Sequence, residues 1–167
     1  GFSEHHFLLD ASDLGSGKSY VALAVCKSLG LKPVIICRKA AFSAWQRVAV
    51  NHFGIPADSV TLSNYERVRA GNSPLGTWVK KTFGTSKRKI EVFEWSLPAD
   101  SLLMLDEIHA CGGVRTQNSD LLTSAAYQKI RTLGISATAA SSPLKMRALG
   151  YALGLHRGRD FDEWVYQ

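Results

Sequence analysis

Three short strings hold the residue types most able to do chemistry: LGSGKS at Leu14 to Ser19, DEIH at Asp106 to His109, and SAT at Ser136 to Thr138. In the first, Gly15 and Gly17 allow a tight turn whose consecutive amides, from Leu14 and Ser16 onward, face a polyphosphate at a helix N-terminus. Lys18 would reach the β and γ phosphates, and the Ser19 hydroxyl would ligate magnesium. Ser12 stands where the general pattern G-x-x-x-x-G-K-[ST] has its first glycine. The plain alternative is a glycine-rich strand-to-helix turn with an exposed lysine.

The other two strings fall where such a cradle would need them. Leu102 to Leu105 form a continuous apolar run, as a strand buried on both faces of a parallel sheet requires. Asp106 and Glu107 therefore emerge at its carboxyl end, where open α/β sheets place ligands. Asp106 would hold magnesium, and Glu107 would orient and deprotonate an attacking water. His109 would sense the γ-phosphate through a hydrogen bond and pass the state to Ser136 and Thr138, whose hydroxyls can bond Asp106 or His109.

These groups need a scaffold of alternating strands and helices. Apolar periodicity predicts strand 6–10, helix 18–29, strand 33–37, helix 40–52, a strand near 59–62 and a short helix over 64–70. After a basic insertion at 71–100 come strand 101–105, helix 117–128, strand 131–136 and helix 143–153. Residues 157–167 form a tail expected to pack as a terminal helix or to frame a missing neighbour. The expected fold is α/β, a P-loop domain with a mainly parallel sheet and helices on both faces.

With these strings in this order, the chain resembles superfamily 2 helicases and translocases, within them the Swi/Snf-like and phage DExH-type proteins. LGSGKS resembles motif I, AFSAWQRVAVNHFG (41–54) motif Ia with its helix, SNYERVR (63–69) the motif Ib neighbourhood, DEIH motif II, and SATAASSPLKMRALGYALGLH (136–156) motif III with the helix after it. Two departures are Ala139, where many relatives have proline, and Ser12-Asp13 at the entry to the P-loop. The resemblance implies a RecA-like lobe that binds ATP and Mg2+ and couples hydrolysis to movement on nucleic acid. It implies a second RecA-like lobe supplying arginine fingers. At 167 residues, starting without methionine, the chain is expected to be lobe 1 alone, inactive without its partner lobe. The SATAA variant suggests a phage or other mobile element, and hence a cytoplasmic protein of a bacterial or infected cell.

The charge balance suits a polyanion. Twenty Lys and Arg against fourteen Asp and Glu give a net charge of +6. In WVKKTFGTSKRKIEVFEW (78–95), Lys80, Lys81, Lys87, Arg88 and Lys89 alternate with Trp78, Phe83, Phe93 and Trp95 around a Gly84-Thr85-Ser86 turn. The cations would pair with phosphates and the aromatics stack on bases. Alternatively, the aromatics pack beneath the insertion and the charges are its solvated face. Arg38 and Lys39, after the second strand, lie where the family contacts the nucleic-acid backbone, or they decorate a helix start. Tyr65 and Glu66 would touch nucleic acid or only cap a helix, a capping role that suits Asn64 better, and Trp45 packs in the core. Arg115 to Asn118 form a loop and helix entry suited to strand contacts. DNA is expected ahead of RNA, and no apolar stretch reaches membrane-spanning length.

Cys26, Cys37 and Cys111 are odd in number, far apart and without metal-ligand spacing, so they read as reduced thiols. His5 and His6 form no metal pattern. Two rival functions keep part of the pattern: a nucleic-acid-binding or regulatory module without catalysis, and a P-loop small-molecule kinase. The kinase gives no reason for DEIH and SAT.

Overall fold

The computed structural model describes residues 6–13, 15–85, 87–113, 115–138 and 141–166. Leu14, and with it Ser86, Ala139 and His5, lie outside the described residues. Five strands form one sheet: β1 (Phe7–Asp10), β2 (Lys32–Ile36), β3 (Thr61–Ser63), β6 (Ser101–Asp106) and β7 (Thr132–Ile135), in the order β1-β7-β6-β2-β3. All four neighbour pairs run parallel, so every strand's carboxyl end reaches the same edge of the sheet. This is the expected α/β, RecA-like architecture.

The sheet is covered on both faces because its central strands are apolar on both sides. Along β6, Leu103 and Leu105 join Phe7, Ile36, Leu121, Leu122 and Leu149 on one face. Leu102 and Met104 join Leu23, Ile35, Trp45, Leu133 and Ile135 on the other. Strand alternation makes the two sets distinct. Helices α1 (Lys18–Ser28) and α2 (Phe42–Arg47) cover the second face; α4 (Gln117–Tyr127) and α5 (Arg147–Ala152) cover the first. The short α3 (Tyr65–Arg69) is capped as expected, the Asn64 side chain accepting from Arg67 N at 2.8 Å.

Two elements depart from the expected outline. The helix expected over 40–52 is composite: a 3-10 turn at Lys39–Ala41, then α2, then a π-helical turn at Val48–His52. That wider turn carries His52 and Phe53 to the ring of Tyr20, at centroid distances of 5.0 and 6.3 Å. The helix expected over 143–153 opens as a 3-10 turn at Pro143–Met146, with proline at its first position, where a missing N–H costs nothing. The tail does form a terminal helix, α6 (Phe161–Val165).

The basic segment is a β-hairpin, β4 (Gly76–Thr82) against β5 (Lys89–Trp95), antiparallel and separate from the main sheet. It is fastened to α4 by Gln128, whose side chain accepts from Trp95 N at 2.9 Å and donates to Phe93 O at 2.7 Å. The Trp95 indole donates to Leu121 O at 3.1 Å. Gly76 has no substitute there, since a Cβ would sit 2.4 Å from Glu94 O and 2.5 Å from the Phe93 ring.

Candidate nucleotide site

Where β1 ends, the chain turns into α1 through Gly15 and Gly17, both at φ 77. Only glycine holds such backbone without strain. Gly17 caps α1 without any side-chain bond, and no acidic residue occupies the first turn, so the helix's free amides and positive end are left for an anion. Ser12, in place of glycine, is absorbed by the loop's own bonds: its amide and hydroxyl donate to Asp10 Oδ1 at 3.0 and 2.6 Å, and its hydroxyl lies 2.9 Å from that of Ser16. The Lys18 ammonium curls back onto the carbonyls of Ser12 and Asp13, at 2.7 and 2.5 Å. An ammonium there marks where strong acceptors belong.

A cavity of about 380 Å³ opens at this loop, and its lining includes Gly15, Gly17, Lys18, Ser19, Trp45 and Asp106. The first and second sequence strings thus face one space. A serine hydroxyl and an aspartate carboxylate are hard oxygen ligands that suit Mg2+, leaving its remaining positions to phosphate and water. Among the described residues no group of three or more His, Cys, Asp or Glu side chains is arranged for a metal.

Asp106 is held from three sides. The Trp45 indole donates to Oδ2 at 3.1 Å, the Glu107 amide to Oδ1 at 2.9 Å, and the Tyr65 hydroxyl to the Asp106 carbonyl at 2.9 Å. Burial pushes its carboxyl above the usual aspartate range, against the Trp45 and Glu107 hydrogen bonds, which favour the charged form. Tyr65, expected on nucleic acid, turns its hydroxyl inward to Asp106, and burial holds its phenol well above its ordinary range. Trp45 does pack in the core, but an interior indole N–H needs an acceptor, and it finds the carboxylate.

Glu107 breaks from the strand with left-handed backbone, φ 50 and ψ 52, which for a non-glycine residue persists only where surroundings over-determine it. Its carboxylate pairs with Arg38, Nε to Oε2 at 2.5 Å. Lys39 is exposed in the following turn.

His109 Nδ1 lies 3.1 Å from the buried Ser136 hydroxyl, which itself donates to Thr138 O at 2.8 Å and accepts from Thr138 N at 3.2 Å. With the hydroxyl proton committed to Thr138 O, Nδ1 is the donor in this contact. Thr138 therefore joins this link through its main chain. Ser136 N donates to Asp10 O at 3.0 Å, which ties the third string to the strand that feeds the phosphate loop.

In the hairpin, Phe93 and Trp95 are 0% and 6% exposed and stack edge to face, and the Trp78 indole donates to Arg69 O. These aromatics pack beneath the hairpin and are not free for bases. Phe83 is exposed, 6.2 Å from Tyr127. Lys80, Lys81, Lys87, Arg88 and Lys89 are exposed, with Lys81 paired to Glu94 at 2.9 Å. Cys111 is fully buried and its thiol is pushed up to about 12, which suits a core residue and no nucleophile.

No known protein-family model matches the chain. Over 173 aligned residues it is 30% identical to a protein of Acanthamoeba polyphaga mimivirus named "Putative ATP-dependent RNA helicase". The alignment takes in 97% of this chain and 32% of that protein, so the chain spans about a third of its relative's length. This similarity supports a helicase-family relationship. Among the described residues no helix is long and apolar enough to cross a membrane.

Proposed function

We propose that this chain is the ATP-binding lobe of a nucleic-acid-dependent ATPase, a helicase or translocase of superfamily 2, that works against a second RecA-like lobe. The single observation that carries this reading is the shared cavity, where Lys18 and Ser19 from the phosphate loop face Asp106 from the neighbouring strand system. Phosphate binding alone would need only the loop; hydrolysis needs the acidic strand end beside it.

In this reading Lys18 leaves the loop carbonyls and takes the β and γ phosphates, while the α1 amides hold the rest of the chain of phosphates. Ser19 and Asp106 hold Mg2+, which when bound neutralises charge developing on the transferring phosphoryl group. Trp45 and Tyr65 keep Asp106 in place. Glu107 orients water and accepts its proton, and the His109–Ser136 link reports the γ-phosphate to β7 and through Asp10 to the loop. Nucleic acid would contact Arg38, Lys39 and the hairpin cations Lys87, Arg88 and Lys89. The relative's name favours RNA, in place of the DNA preference expected from the sequence.

Asp106→Asn separates the roles. It should weaken Mg2+-dependent ATP binding while leaving Mg2+-free binding unchanged, measured by calorimetry with and without chelator. Equal Mg2+ dependence in the variant and the parent chain would remove Asp106 from the metal site and with it this reading.

A further inference from the structure

Arg38 and Glu107 meet for a topological reason. Strands β2 and β6 are parallel neighbours with Ile36 opposite Leu105, so continuing the register by two residues sets Arg38 opposite Glu107 at the sheet's carboxyl edge. The backbone of Glu107 is fixed by its amide bond to Asp106 and by its left-handed turn. Its side chain is what can choose a partner, and it has chosen the guanidinium. Both side chains reach solvent, at 73% for Arg38 and 41% for Glu107, so an anion arriving from outside can reach Arg38 without opening the core.

We propose that Arg38 is a positioning residue that restrains Glu107 in the nucleic-acid-free chain and gives it up when a backbone phosphate takes the guanidinium. The proposal rests on the reading of Glu107 and of the nucleic-acid partner given above. A carboxylate whose lone pairs are engaged by a guanidinium is a poor acceptor for a water proton, so the pair silences hydrolysis until the polymer is bound. The exchange is chemically balanced. Arginine binds phosphate through the same planar fork it offers a carboxylate, and an exposed ion pair shifts an equilibrium by only about fivefold or less, so a phosphate can displace it. The released carboxylate turns towards the cavity that Asp106 already lines. No bond is made or broken in this step; one ion pair is exchanged for another.

Coupling of this kind is reciprocal: if phosphate competes with Glu107 for Arg38, then removing the carboxylate's charge must favour phosphate. The test is a double-mutant cycle on the 167-residue chain, without nucleotide, using anisotropy of a fluorescein-labelled single-stranded oligouridylate. Glu107→Gln should tighten binding about two- to fivefold when Arg38 is present without changing the salt dependence, whereas Arg38→Ala should flatten that dependence by about 0.7, the slope of one neutralised phosphate on a single strand. In an Arg38→Ala or Arg38→Gln background the same change should have no effect on affinity or slope. An equal gain with and without Arg38 would reflect general charge removal and overturn the proposal. Should the parent chain fail to bind the oligonucleotide at all, the nucleic-acid reading falls and takes this one with it; measurable binding with additive effects sinks the switch alone.

Discussion

The phosphate loop and the basic hairpin both display cations, yet they are built on opposite plans. At the loop, each functional group is aimed by backbone: two left-handed glycines, a helix start without a side-chain cap, and a carboxylate gripped by an indole and an amide. At the hairpin, the fixed part is the apolar underside of Phe93 and Trp95, tied to α4 by Gln128, while the lysines stand outside, exposed, with Lys81 paired to Glu94. A site of the first kind works by position, so one substitution removes its chemistry. One of the second kind works by number of charges, and it fails by increments.

The steepest test of that contrast is Glu107→Gln in a protein carrying this lobe together with its partner lobe. Turnover should fall by roughly a hundredfold or more, the usual worth of a positioned base, with ATP affinity kept. In the isolated 167-residue chain, hydrolysis should already be near background if, as proposed, a second lobe supplies an arginine finger worth about a thousandfold or more. Robust nucleic-acid-stimulated turnover by the chain alone, lost in Glu107→Gln, would show that it completes the site by itself.

Next in size is Phe93→Ala, which removes the fully buried ring between Trp78 and Trp95. It should cost about 3–5 kcal/mol of stability by denaturant unfolding. ATP affinity of the fraction that remains folded should be unchanged if the hairpin serves packing and charge display only. A matching loss of ATP affinity would show that the two regions are coupled.

Trp45→Phe probes the loop side more finely. Burial already raises the Asp106 carboxyl above its ordinary range and the Trp45 hydrogen bond opposes that rise, so removing the indole should raise it further. Because Mg2+ needs the carboxylate, Mg2+-dependent ATP binding should be lost at a higher pH on acidification than in the parent chain. An unshifted pH profile would deny Trp45 its place on Asp106. The smallest effect belongs to the hairpin: reversing Lys87, Arg88 and Lys89 to glutamate should weaken oligonucleotide binding and flatten its salt slope by about 0.7–0.9 for each phosphate no longer neutralised. Unchanged affinity and slope would make the hairpin charges a solvated face.

The sheet could be read from the sequence because Leu102 to Leu105 is apolar without a break and strands alternate with helical periods. The hairpin left two readings open, since interleaved cations and aromatics describe equally well a stacking surface and an amphipathic ribbon. Burial of Phe93 and Trp95 puts those two rings beneath the ribbon, and the salt slope is what tests its charges. The Trp45 bond to Asp106 was out of reach for a different reason: helical spacing tells which face a residue lies on, and not what its polar atom meets 61 residues away. Arg38 against Glu107 needed the order of strands as well as their existence. Nothing local to either residue says that β2 lies beside β6. Ser12 was a departure from a pattern until its bonds to Asp10 and Ser16 showed how the loop holds its shape.

The central claim is that Lys18, Ser19 and Asp106 make one site for a magnesium nucleotide, and titration calorimetry of ATP with Mg2+ into the chain and its Lys18→Ala variant tests it most directly. The account predicts measurable heat and a defined affinity for the parent chain, weakened when Mg2+ is chelated, and no detectable binding for the variant. Unchanged nucleotide affinity in Lys18→Ala would contradict it.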